Sequence, residues 1–164
     1  DETRPLYDRV VVVGHALGSV VAYDMLNELI QEDSLGRYAT AVARRTRLFL
    51  TFGSPLDKII YVFGTQRPNG HLVEHALAAA VQPLISSYDD DRRPASWCNI
   101  HSTSDWISGD LSYFDSTDAE TRAGDGEKCV VNEPDPEAAS PLLAHLEYWD
   151  GLAFVNTLYR AVTE

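Results

Sequence analysis

Residues 9–34 read RVVVVGHALGSVVAYDMLNELIQEDS, and the change of pattern inside this stretch decides the fold. Its first five residues, RVVVV, are a continuous β-branched run, which suits a strand buried on both faces of a parallel sheet. The run stops at Gly14. From Ser19 onward Ala22, Met25, Leu26, Leu29 and Ile30 recur at three- and four-residue intervals, the period of an amphipathic helix. Strand gives way to helix across Gly14-His15-Ala16-Leu17-Gly18, a sharp turn with a glycine on each side. Two glycines at this spacing are a weak signal alone. The buried strand before them and the amphipathic helix after them make it a strong one.

The same alternation runs through the rest of the chain. Residues 47–52 (RLFLTF) read as a second buried strand, ended by Gly53-Ser54-Pro55. An alanine-rich helix is predicted over 74–84, a third strand over 97–101 (WCNIH) and a short fourth strand over 128–132 (KCVVN). A closing helix is predicted from about 141 to 162, with Trp149, Leu152, Val155, Tyr159 and Val162 on one side. Residues 87–94 and, apart from the fourth strand, 116–136 read as solvated loops. Strands alternating with helices define an α/β fold: a mostly parallel sheet flanked by helices.

Composition narrows the function classes. Lys plus Arg number 13 against 25 Asp plus Glu, a net charge of −12. That balance argues against nucleic acid, whose binders need clustered cations, and against docking on anionic lipid headgroups. No apolar run approaches the roughly 18 residues of a membrane span. Two cysteines, Cys98 and Cys129, are too few for a disulfide framework and read as reduced, partly buried thiols, with one bridge between neighbouring strands as the alternative. The chain opens at Asp1 a few residues before its first strand, so it reads as part of something longer.

The middle of the 14–18 turn is the chemically informative position. Its residue is lifted above the sheet at the N-terminus of the following helix, where free N–H groups and the helix dipole favour negative charge. The N–H of Leu17 is placed to serve an oxyanion. GHALGSVVAYDML resembles the GHSLGSVVAYD nucleophile elbow of α/β-hydrolases of the lipase and esterase kind, and LFLTFGSPLDK resembles the strand and loop that follow it there. The resemblance implies that residues 1–164 are the C-terminal portion of a single α/β-hydrolase domain, lacking its N-terminal strands. A partner chain or a missing N-terminal half would then complete the sheet.

In that family the triad runs nucleophile, acid, histidine along the chain. The resemblance places serine at position 16, where this chain has Ala16. Asp105, four residues past the WCNIH strand, falls in the segment that resembles the family's acid loop, with Asp110 and Asp115 as alternatives. His145, in SPLLAHLEYWD, stands where the family carries its catalytic histidine. Of the other four histidines, His15 is expected to pack and hydrogen-bond within the elbow, and His101 to be a satisfied residue of the third strand. His71 and His75, four apart, lack the glutamate of a metal-binding H-E-x-x-H, so no metal is expected. Ser19 lies about one turn below the elbow and is a poor substitute nucleophile.

The resemblance therefore implies a serine hydrolase of carboxylic esters or lipids, needing no cofactor, whose nucleophile is absent. Ala16 is either an engineered replacement of serine or natural to a binding module for a ligand or a protein. The intact acid and histidine favour the first. Trp106, Tyr113, Phe114, Tyr148 and Trp149 are the aromatic residues available either to line an acyl site or to fill the core.

Overall fold

All three strand pairings are parallel in the computed structural model of the chain, which describes residues 7–36, 41–59, 94, 96–111, 114, 130–141 and 143–164. Strands β1 (Val10–His15), β2 (Thr46–Phe52), β3 (Trp97–His101) and β4 (Val131–Pro134) lie side by side in chain order. Among the helices in the described residues are α1 (Leu17–Ser34), α2 (Val42–Arg45), α3 (Ala144–Glu147) and α4 (Leu152–Thr163). This is the α/β architecture that the alternating pattern predicts. No helix among the described residues is long and apolar enough to cross a membrane.

The side-chain period of two along β2 divides the core. Phe49 joins Ala22, Tyr23, Leu26 and Ile30 of α1, with Trp97 and Phe114, on one face of the sheet. Leu48, Leu50 and Phe52 join Ile100, Tyr148 and Phe154 on the other. Each large apolar side chain taken wholly from water contributes about 1.5–3 kcal/mol, so these two clusters hold the layers together.

The doubly buried strand is β2 rather than β1. Its neighbours on both sides leave Leu48 to Phe52 buried, whereas β1 ends the sheet and exposes Val10 and Val13. β4 begins at Val131 and runs to Pro134, later than the predicted 128–132. As the opposite end strand it tolerates a proline, which has no N–H to give a ladder.

The predicted closing helix is two helices. The chain turns at residues 148–150, and α4 starts afresh after Gly151, which is extended at φ −70°, ψ 140°. A Cβ at Gly151 would lie 2.5 Å from the Asp135 carboxylate, so a larger residue there would have to displace that side chain where the turn passes β4's end. The face of α4 that packs is also the neighbouring one. Phe154, Leu158 and Ala161 meet the sheet, while Leu152, Val155, Tyr159 and Val162 face outward. Phe154 fixes that rotation, with ring centroids 4.8 Å from Phe52 and 5.5 Å from Trp149. The helix predicted over 74–84 lies outside the described residues.

Candidate active site

Ala16 occupies the turn between β1 and α1 with φ 51° and ψ −130°, a conformation that costs a residue bearing a Cβ about 1–3 kcal/mol. Surrounding hydrogen bonds impose it. The Ala16 N–H donates to the Phe52 carbonyl at 3.1 Å, tying the turn to the end of β2. Its own carbonyl accepts from the Ser19 N–H at 3.0 Å and the Ser19 hydroxyl at 2.6 Å. The Ser19 hydroxyl also meets that of Ser54 at 2.7 Å in a wholly buried position. Ser19 is therefore a structural member of the turn.

The two glycines of the elbow are not equivalent. A Cβ on Gly14 would lie 2.5 Å from the Ser19 Cα, so any larger residue would push the turn apart. A Cβ on Gly18 would meet nothing within 4 Å, so that position does not need glycine for clearance. Gly18 is on the outer side of the first turn of α1, away from the backbone that crowds Gly14. Leu17 opens α1 with its side chain exposed, and its N–H, as the first of the helix, has no intrahelical acceptor.

Asp105 lies just beyond β3 and is buried. One oxygen accepts from the Ile107 N–H at 2.9 Å; the other accepts from His145 Nδ1 at 2.8 Å and from the Tyr148 hydroxyl at 3.1 Å. Burial alone would raise the Asp105 carboxyl, but the hydrogen bonds from His145, Ile107 and Tyr148 outweigh it and hold the group below its ordinary value. The carboxylate can only accept, so His145 carries a proton on Nδ1, which in the neutral ring leaves the lone pair on Nε2. The histidine side chain is 23% exposed against 2% for Asp105, so a buried carboxylate is paired with an accessible imidazole.

Further contacts hold the residues around the dyad. The imidazole passes over Gly53, the residue after β2, where a Cβ would stand 3.2 Å from both Cε1 and Nδ1 of His145. Gly53 has φ 57°, which glycine adopts freely, so position 53 calls for glycine on two counts. The carbonyl of His145 accepts from His15 Nε2 at 2.8 Å, so the elbow holds the histidine's backbone directly. The Tyr148 ring packs edge-on to Phe52 at 6.1 Å. Burial, joined by the Asp105 charge, pushes its phenol well above the ordinary value, and it stays a neutral donor.

The loop carrying Asp105 is held from below by a buried polar network. Trp97 Nε1 donates to the Thr51 hydroxyl at 3.2 Å, and Thr51 donates to Asn99 Oδ1 at 2.9 Å. Asn99 Nδ2 donates to the Gly109 carbonyl at 2.9 Å and to Asn132 Oδ1 at 2.8 Å. From the side, Lys58 Nζ donates to the carbonyls of Trp106 and Ser108 at 2.6 and 2.7 Å. The Asp57 carboxylate lies against Gly109, on the side where a Cβ would stand.

Ala16, Asp105 and His145 thus come together around the C-terminal ends of β1, β2 and β3. Asp110 is exposed, and the carboxylate on His145 belongs to Asp105. His101 ends β3 half-buried, its carbonyl accepting from the Asp135 N–H at 2.8 Å. Phe114 is a core residue beside Tyr23 and Trp97, whereas Trp106 and Trp149 remain at the surface. Cys98 is a buried free thiol. His71, His75, Tyr113, Asp115 and Cys129 lie outside the described residues. No group of three metal-ligating side chains occurs among the described residues. A cavity of about 390 Å³ lies at the far end of the sheet, between Arg47, Trp97, Val131 and α4, and touches none of the site residues.

Sequence reasoning missed Tyr148 as a donor to the acid. Its signal was available: it follows His145 by three residues, the spacing that puts two side chains on one helical face. The Asn99 and Lys58 supports had no such signal, because they join segments distant in the chain. The chain matches no protein-family model and no curated relative. Its functional reading rests on this geometry and on the motif resemblance.

Proposed function

We propose that this chain carries the elbow, acid and base of a serine hydrolase acting on carboxylic esters or lipids, with Ala16 where the nucleophile belongs. One observation carries the reading. A buried carboxylate bonds Nδ1 of a partly exposed histidine, and both stand beside a strained turn at a helix N-terminus.

With serine at position 16, His145 Nε2 takes the hydroxyl proton as the oxygen attacks an acyl carbonyl. Asp105 keeps the proton on Nδ1 and stabilises the imidazolium. The Leu17 N–H donates to the oxyanion. His145 then protonates the leaving alcohol and activates the water that releases the acid. Ala16 has no proton or lone pair for the first step, so this form cannot form an acyl-enzyme.

The test is labelling with a fluorophosphonate probe, comparing the protein with its Ala16→Ser variant. Labelling in the serine form alone, abolished again by His145→Ala, supports the hydrolase. Absence of labelling in a folded Ala16→Ser protein rejects it. A second reading, a non-catalytic binding module on the same fold, is favoured by Ala16 itself and becomes the better account in that case.

A further inference from the structure

The His15 side chain joins the elbow to the histidine loop, and nothing in the acyl-transfer chemistry above uses it. We infer that His15 is a positioning residue: as a neutral imidazole it anchors the His145 backbone to the elbow, fixing the base relative to residue 16. As a statement about catalysis this rests on the hydrolase reading; as a statement about geometry it stands alone.

The His15 Nε2 lies 2.8 Å from the His145 carbonyl oxygen. A carbonyl only accepts, so the proton is on Nε2 and the neutral ring has its lone pair on Nδ1. The ring stacks on Phe52 with centroids 4.8 Å apart and an interplanar angle of 21°, and Trp149 meets it edge-on at 5.6 Å. Position 15 is also in register with Phe52 across the β1–β2 pair, which sets its backbone beside that ring.

His145 is therefore held at two points with different consequences. Asp105 fixes the rotation of its ring, and His15 fixes where its backbone stands. The neighbouring residue of the elbow is 16, so one hydrogen bond sets the separation between nucleophile position and base. The two imidazoles are only 4.8 Å apart, centroid to centroid. A cation on His15 would oppose the imidazolium that His145 must become, and burial, partly offset by the hydrogen bond to His145, keeps His15 below its ordinary value. The ionisable groups facing it are His145 and, through it, Asp105.

The test uses the chain with Ala16 in place, so it does not depend on activity. The readout is solvent exchange of the His145 Nδ1 proton, followed by nitrogen-edited NMR in the parent, His15→Phe and His15→Gln. Phenylalanine keeps a ring on Phe52 and removes the donor; glutamine restores an N–H at similar reach. Exchange is expected to quicken about tenfold in His15→Phe, the worth of one hydrogen bond, and to return near the parent rate in His15→Gln. An unchanged rate in His15→Phe, or equal acceleration in both variants, overturns the inference. Should either variant fail to fold, the ring-nitrogen shifts of the parent decide, since an Nδ1-protonated His15 excludes the anchor. In the Ala16→Ser background the fluorophosphonate labelling rate should fall and recover in the same order. A serine form that never labels removes the hydrolase reading and leaves the exchange result to decide on His15.

Discussion

Tyr148 and His145 donate to the same oxygen of Asp105, at 3.1 and 2.8 Å. The two donors are one helical turn apart, while their acceptor comes from a different strand. That convergence makes the dyad a three-residue unit, in which the phenol satisfies a lone pair that burial would otherwise leave bare.

Removing that phenol separates the contributions. Tyr148→Phe keeps the ring in its place against Phe52 but withdraws one donor from Asp105. The Asp105 carboxyl should titrate at a higher pH than in the parent, read by carbon NMR of its side chain. Urea unfolding at neutral pH should show a loss of ~1 kcal/mol, the usual net worth of one buried hydrogen bond. An unmoved carboxyl titration would deny the tyrosine any hold on the acid.

The two elbow glycines should respond oppositely to alanine. Gly14→Ala forces a methyl group to 2.5 Å from the Ser19 Cα and should cost ~3 kcal/mol or more, since backbone cannot step aside as a flexible side chain can. Gly18→Ala enters open space at the start of α1 and should be neutral or stabilising by up to ~1 kcal/mol. Thermal unfolding of both variants checks the pair. Equal losses would mean that the turn is not crowded on the Gly14 side alone.

Acid should weaken the fold in two stages. His15 has a folded value below its ordinary 6.5, so as pH falls from ~6.5 the unfolded chain takes up the proton first. The stability held by the neutral ring is complete above that pH and is lost as pH falls through the folded value. Asp105 acts with the same sign lower down: its contribution is present above the unfolded value of ~3.9 and is lost as pH falls through the folded one. Urea midpoints at pH 7 and pH 5 should therefore fall less in His15→Gln than in the parent. An identical fall in both would assign the acid sensitivity elsewhere.

Cys98 should be inert in the native protein. Burial, reinforced by the nearby Glu133 carboxylate, pushes its thiol up to about 12, so almost none is thiolate at neutral pH. Iodoacetamide treatment followed by peptide mass mapping should leave Cys98 unmodified until denaturant is added. Rapid native alkylation at that residue would show that β3 and α4 do not exclude the reagent.

Much of this arrangement was legible in residues 9–34. Their β-branched run, flanking glycines and helical period are local properties, and local properties are what a sequence states directly. Asp105 and His145 were legible for another reason, their position after successive strands in a motif that resembles a known order. The break in the closing helix was not legible, and of its two adjacent apolar stripes only the rings of Phe52 and Trp149 select the one bearing Phe154 as the packed face. The role of Gly151 as a helix start, and the offset of β4 toward Pro134, depend on neighbours that the sequence does not list in order. The supports at Lys58 and Asn99 belong to the same class, since each spans an interval of the chain that periodicity cannot bridge.

The His15 to His145 bond joins residues 130 positions apart, and the Asp105 to His145 bond joins residues 40 apart. No local piece of the chain holds more than one partner of either contact, so the site forms only once these long loops are closed. Ordering such long loops carries an entropy cost that only the finished sheet offsets. The shielding of the His145 ring proton is consequently a gauge of the whole cooperative unit. It should vanish with the sheet as a single transition.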